Sequence, residues 1–223
     1  MAFVGNPLNF PQLAVKGSPT GSDIVMIADA AAGNALKQAT VSSLVAGASA
    51  GALVYLGIGT AAASAAINFD NYLTATYDNY LVTIEDLVAA TSAATLRMEV
   101  GTGAGPTYST STYIGAGFDW TSSGGAGRTT ATANHQLQSG TNTPSNNANA
   151  AGMGNVWVYG ANTAHNKSVA SQITNLYSGS NLAVGNMYAG IWQTTTVLTS
   201  LRFFMSSGNI TTGIFRLYGI KNS

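Results

Sequence analysis

The chain is 223 residues long, only 7% of them are charged, and the formal net charge is zero. Ordinary soluble domains carry about 25% charged residues, so this chain has little electrostatic protection against association and suits a component of a larger assembly. The eight lysines and arginines form no basic run, which argues against nucleic-acid binding, and the absence of cysteine excludes disulfides and thiolate metal sites.

Two short apolar segments near the start of the chain predict a hairpin. Residues 22–30 (SDIVMIADA) and 35–41 (ALKQATV) are typical of strands, and the AAGN sequence between them supplies turn residues. A two-stranded hairpin is marginal alone in water, so we expect this one to be extended and to dock on another protein. The small-residue stretch 47–51 then separates an attachment segment, 1–46, from a body, 47–223.

The body is predicted to be all-β. Short segments rich in β-branched and aromatic residues follow one another with turn residues between them, and helical periodicity is almost absent. In the clearest segment, every second residue from Ala94 to Val100 is apolar and the residues between them are polar or charged. Roughly ten such strands predict an antiparallel β-sandwich of the jelly-roll kind. The apolar stretch 46–58 is short and broken by glycines, so we predict no membrane insertion.

The stretch 101–150 is rich in Gly, Ser, Thr and Asn, and its aromatic and basic residues are the candidates for receptor binding. Exposed aromatic rings beside hydroxyls and amides can stack on sugars or fill apolar pockets. The candidates are Tyr108, Tyr113, Trp120, Arg128 and His135. A core role for the aromatic residues between 113 and 120 is the alternative. The two histidines have no third ligand at metal spacing, so no metal site is predicted.

The last two apolar runs, 196–206 and 209–221, predict a terminal hairpin across the Ser-Gly-Asn turn between them. Neither run is polar on one side, and a strand that is apolar on both faces is usually covered on both, by a second sheet or by another copy of the chain. The residues predicted to lie at a subunit interface are Leu198, Phe204, Ile214 and Tyr218.

Three groups of motifs carry a resemblance to a known family. They are GSDIVMIAD with GNALKQATVSSL between residues 17 and 45, YDNYLVTIEDL with ATLRMEV between 77 and 100, and SSGN with the ending GIFRLYGIK up to residue 221. In this order they resemble the N-terminal attachment module and the C-terminal β-sandwich of phage tail-fibre proteins.

The resemblance implies a virion structural protein that is no enzyme and needs no cofactor. Its N-terminal segment would bind other virion proteins of the tail, baseplate or capsid, and its body would form a homotrimer that adheres to a host-surface glycan or protein. A capsid decoration protein or head fibre is an alternative reading of the same features.

The carboxylates between Asp70 and Asp86 suggest a third function, that of a polysaccharide depolymerase, because glycoside hydrolysis needs paired carboxylates. These residues fall at predicted strand ends and turns, where aspartate commonly caps backbone amides. The chain also has none of the regular β-helix repeats that such enzymes often show. We therefore expect no catalytic residues.

Overall fold

The structure, a computed structural model, falls into two compact units, residues 1–51 and 52–223. The described residues are 20, 22–29, 33, 35–42, 52–121, 124–138, 144–176 and 182–222. Most of the predicted attachment segment, 1–46, lies outside them. Among the described residues, no helix has the length and apolar character needed to cross a membrane.

Fifteen strands account for most of the described residues. They are β1 Ile24–Asp29, β2 Ala35–Thr40, β3 Leu53–Ser64, β4 Ile67–Phe69, β5 Asn79–Ala89, β6 Leu96–Thr102, β7 Thr107–Tyr108, β8 Tyr113–Thr121, β9 Gly124–Thr132, β10 His135–Gln136, β11 Gly152–Tyr159, β12 Lys167–Leu176, β13 Ala183–Trp192, β14 Ser200–Met205 and β15 Ile210–Ile220. The predicted all-β fold class is confirmed.

The first unit contains the predicted hairpin. Strands β1 and β2 pair antiparallel, with Ile24 opposite Thr40 and Asp29 opposite Ala35. At the open end, the Val41 amide donates a hydrogen bond to the Asp23 carbonyl at 2.8 Å. The hairpin is thereby confirmed, and its docking role stays a prediction.

The second unit is built from two antiparallel sheets of unequal size. The large sheet has eight strands in the order β3-β15-β5-β11-β12-β13-β8-β9. The small sheet has the order β10-β6-β14-β4, with β7 paired to another part of β6. Neighbouring strands are all antiparallel, which is the arrangement predicted for a sandwich.

One hydrophobic core lies between the two sheets. Phe203 of the small sheet stands 5.3 Å, centroid to centroid, from Phe215 of the large sheet, and Phe69 packs edge-on against Phe203. The predicted inward face of β6 is confirmed, because Leu96, Met98 and Val100 are fully buried in this core. Burial of such rings and aliphatic groups is the main stabilising contribution.

The predicted terminal hairpin is wrong. Strand β14 pairs with β6 and β4 in the small sheet, whereas β15 pairs with β3 and β5 in the large sheet. The connection from Ser206 to Asn209 therefore crosses from one sheet to the other, with Gly208 in the left-handed region at a φ of 69°. A glycine turn between two apolar runs is compatible with a hairpin and with a connection between two sheets. The packing of Phe203 against Phe215 favours the connection between sheets.

Gly154 marks a place where two backbones approach closely. A Cβ at this position would lie 2.1 Å from the Gln172 carbonyl oxygen on the neighbouring strand. We expect Gly154→Ala to force β11 and β12 apart and to lower the free energy of unfolding by about 2–3 kcal/mol. Chemical denaturation would measure the change.

Gly105→Ala is the matched control, because a Cβ at Gly105 meets no atom within 4 Å. Its free energy of unfolding should stay within about 1 kcal/mol of the parent value. Equal losses in both variants would contradict the close approach at Gly154.

Candidate functional site

The outward-facing side chains of the large sheet are largely apolar, and we call this surface the apolar face. Strands of an antiparallel sheet with one solvated face normally alternate apolar inward and polar outward residues. Here Val156 and Val158 of β11 point into the core, while Trp157 and Tyr159, which alternate with them, point outward. The face is therefore a candidate contact surface.

One half of the apolar face carries large rings. Strand register places Tyr55, Tyr218, Leu81 and Trp157 side by side across four neighbouring strands. Tyr55 packs edge-on against Tyr218 at 5.8 Å, and Trp157 lies nearly parallel to Tyr159 at 6.4 Å. We call Tyr55, Tyr218, Trp157 and Tyr159 the aromatic ridge.

The other half of the apolar face is hollow. The same row of side chains continues through Ala170, Ala189 and Ala116 on β12, β13 and β8, and we call these three residues the alanine hollow. They lie in a depression of about 520 Å³ whose walls include Tyr159 and Ile191. The depression forms because the alanine side chains on these three adjacent strands are short.

The apolar face is partly exposed and carries few charges. Nine of its large side chains have exposed fractions between 37% and 59%, whereas Leu81 in the same row is 6% exposed. The nine residues are Leu53, Tyr55, Ile58, Ile114, Phe118, Met153, Tyr159, Met187 and Ile191. Arg216 and Glu85 pair at 2.5 Å, and the exposed Asp86 beside Glu85 in β5 adds one negative charge. A partner for most of this face thus needs apolar surface.

A polar cluster occupies the outer face of the small sheet. Arg202 of β14 stands 5.5 Å from the ring centre of Tyr108 and 5.7 Å from that of Phe204, and its Nη1 is 3.8 Å from Glu99 Oε2. The Tyr108 hydroxyl donates a hydrogen bond to the Asp70 carboxylate. We call Arg202, Tyr108, Phe204, Glu99 and Asp70 the Arg202 cluster.

Two guanidinium nitrogens in and beside the Arg202 cluster make no hydrogen bond to the described residues. The Nε atoms of Arg97 and Arg202 are buried and have no hydrogen-bond partner among the described residues. Burial raises the pKa of the Glu99 carboxyl, and the Arg202 charge opposes this effect. Burial and the hydrogen bond to Asp70 raise the pKa of Tyr108, so its hydroxyl stays protonated at neutral pH. Aromatic rings beside a guanidinium group suit a ligand rich in hydroxyl groups.

Two of the predicted receptor-binding residues are buried, and their predicted exposure is wrong. Tyr113 packs against the edge of His135 at 4.7 Å between ring centroids. The Tyr113 hydroxyl accepts a hydrogen bond from the Val100 amide at 3.0 Å and donates one to the Ser109 carbonyl at 3.1 Å. His135 is 4% exposed, and its Nε2 has no partner among the described residues. Both side chains point toward the core.

The other three predicted receptor-binding residues lie in different places. Tyr108 belongs to the Arg202 cluster, whereas Trp120 is half-buried on the apolar face and stacks on Phe118 at 6.2 Å. Arg128 belongs to β9, and its side chain lies outside the described residues. The five candidates therefore do not form one site.

The predicted interface residues also separate. Tyr218 belongs to the aromatic ridge, and Ile214 is half-buried on the apolar face. Phe204 lies on the opposite side of the body in the Arg202 cluster. Leu198 is 1% exposed within the core of the single chain, so the prediction that it contacts another copy is wrong.

The carboxylates singled out from the sequence take structural partners. Asp70 accepts a hydrogen bond from Tyr108 on the small sheet, and Glu85 accepts one from Arg216 on the large sheet. In the part of the chain that the structure describes, no three metal-ligating residues gather into a group. Lys167 is buried, and its ammonium group donates to the carbonyls of Thr163 and His165, which anchors a loop.

Sequence reasoning missed most of the Arg202 cluster and the extent of the apolar face. In β11 and β13, apolar residues occupy both the inward-facing and the outward-facing positions. This pattern in the sequence could have predicted the apolar face. Arg202, Glu99 and Asp70 come from three separate strands or turns, so only strand pairing brings them together.

The two sheets and their contrasting outer faces define an antiparallel β-sandwich protein. Comparison with protein-family models, curated proteins and solved structures found no match.

Proposed function

We propose that this chain is a structural protein of a phage virion, of the tail-fibre type. Its N-terminal segment, 1–46, attaches to tail, baseplate or capsid proteins, and its β-sandwich body forms a homotrimer that adheres to the host surface. The motifs that resemble tail-fibre proteins support this role, as does the scarcity of charged residues.

The apolar face is the observation that carries the proposal. The largest apolar patch on a typical monomer covers about 300–600 Å², and larger patches mark interaction sites. At the exposures above and about 200 Å² for a full large residue, the nine exposed residues together offer roughly 850 Å², and a polar row of Arg216, Thr83, Asn155 and Gln172 crosses the area between them. Such a surface indicates a protein that works in contact with other protein.

Imaging of particles tests the location. We expect an antibody against this chain, coupled to gold, to label phage particles at the tail or baseplate. Label on the capsid would assign the chain to a decoration protein or head fibre, and purified particles that contain no copy of the chain would overturn the proposal.

The Arg202 cluster is the part of the body that we assign to host contact. In an adsorption assay, host cells first incubated with the purified full chain should bind the phage more slowly, because their receptors are occupied. Arg202→Gln should reduce this competition at least tenfold, since loss of a charge-assisted contact weakens binding by about 1.5–3 kcal/mol.

The matched control for this assay is Lys221→Gln, which removes one exposed positive charge near the end of the body. It should compete as well as the parent chain. Full competition by Arg202→Gln would show that adhesion uses a different surface.

A further inference from the structure

The apolar face has two halves with opposite relief. The aromatic ridge raises Tyr55, Tyr218 and Trp157 above β3, β15 and β11, and the alanine hollow lowers the surface over β12, β13 and β8. Ridge and hollow continue the same row of side chains across the sheet. Each copy of the chain therefore carries both a projection and a depression suited to receive it.

The apolar character of the face fits a second copy of this chain. A ridge-to-hollow contact covers roughly 500 Å² of exposed residues on one copy and roughly 350 Å² on the next, about half the size of a standard protein interface, and a closed ring of three contains three such contacts. The Arg216–Glu85 pair is neutral as a unit, so this pair adds no net repulsion between two such faces. Asn155 and Gln172, in the adjacent row near the middle of the face, offer hydrogen bonds to a partner.

We propose that the aromatic ridge of one copy packs into the alanine hollow of the next copy, and that this contact closes a ring of three. Two copies that meet face to face about a two-fold axis fill both hollows, whereas a head-to-tail contact leaves one ridge and one hollow free and forms a closed ring when the rotation between copies permits. The number three rests on the proposed function, whereas the ridge-to-hollow contact stands on the geometry of the face.

Cysteine crosslinking tests the contact directly, because the natural chain has no cysteine. The double variant Tyr218→Cys with Ala189→Cys places one thiol in the ridge and one in the hollow. These positions are four strands apart in the large sheet, about 19 Å at 4.8 Å per strand. A disulfide needs Cα atoms within about 7 Å, so it cannot form inside one chain.

We expect the oxidised double variant to run as three linked chains on a denaturing gel without reductant. Each single variant should run as one chain, because the proposed contact brings ridge against hollow and never like against like. Linkage of the Tyr218→Cys single variant would overturn the proposal in favour of a ridge-to-ridge contact. Linkage of the double variant that stops at two chains would overturn the ring of three.

A second variant keeps the proposal testable if crosslinking is inefficient. Ala189→Arg fills the hollow with a charged side chain at an exposed position, which the fold of the single chain tolerates. We expect the mass in analytical ultracentrifugation to fall from three copies to one. Val197→Arg makes the same kind of change at an exposed apolar residue between β13 and β14, and it should leave three copies.

These experiments separate the contact from the proposed function. A parent chain that is monomeric at micromolar concentration would overturn both the homotrimer and the contact. A trimeric parent whose double variant forms no linked chains would overturn only the contact. A linked trimer from a chain that is absent from phage particles would support the contact and overturn the virion role.

Discussion

Replacing Phe215 with alanine is expected to lower the free energy of unfolding by about 3–5 kcal/mol, the loss typical of a large ring removed from a packed core. Phe215 is fully buried at the centre of the core, 5.3 Å from Phe203 on the facing sheet. Its strand lies between β3 and β5, so the cavity would open beneath three strands of the large sheet. Denaturant titration at one fixed protein concentration would measure the loss.

Phe204→Ala is the control for this prediction. It removes the same ring from the half-buried outer face of the small sheet, where the ring contacts Arg202. We expect it to lower the free energy of unfolding by no more than about 1–2 kcal/mol, since the ring already meets solvent. Similar losses for both variants would contradict the placement of the core between β14 and β15.

The contrast between Phe203 and Phe204 shows what the sequence can predict. Alternation assigns the two rings to opposite faces of one strand, and the structure agrees. Alternation cannot say which strands pair, because the register depends on contacts between residues far apart in the chain. The predicted faces are right from Leu201 to Met205 and along β15, but Val197 is exposed and Leu198 lies in the core, the reverse of the predicted alternation, and the predicted strand partner is wrong.

The candidate site was harder to predict than the fold for a related reason. Polar composition around His135 suggested an exposed loop, but His135 forms β10. Space for the His135 ring comes from Gly190 on β13, where a Cβ would lie 2.4 Å from the ring nitrogen Nδ1. A glycine more than fifty residues away in the sequence thus decides whether this histidine is buried.

The ridge and the hollow of the apolar face could not be predicted from the sequence either, because they depend on strand pairing. Tyr218, Trp157 and Ala189 are each common residues in a β-strand. Nothing in their own strands indicates that they belong to one surface. The ridge and the hollow arise only when seven strands are aligned, because their side chains then fall into one row. Sequence reasoning identified apolar residues on both faces of β15, which was the part of this pattern visible in a single strand.

Lowering the pH from 6.5 to 4 is expected to destabilise the body by about 3 kcal/mol through His135 alone. Burial lowers the pKa of His135 from 6.5 to about 4 in the folded chain. In this range the unfolded chain binds the proton and the folded chain does not, so stability is fully present above pH 6.5 and is lost as the pH falls toward 4. Below pH 4 both states are protonated, and the loss from this group ends.

The measurement compares the free energy of unfolding at several pH values for the parent chain and for His135→Phe. Phenylalanine keeps an aromatic ring beside Tyr113 and cannot bind a proton, so the difference between the two curves isolates the histidine from the carboxylates that also titrate. His165→Gln, which removes the exposed histidine, should follow the parent curve. Parallel curves for the parent and His135→Phe would mean that His135 is hydrated in the folded chain, and its burial against Gly190 would then be wrong.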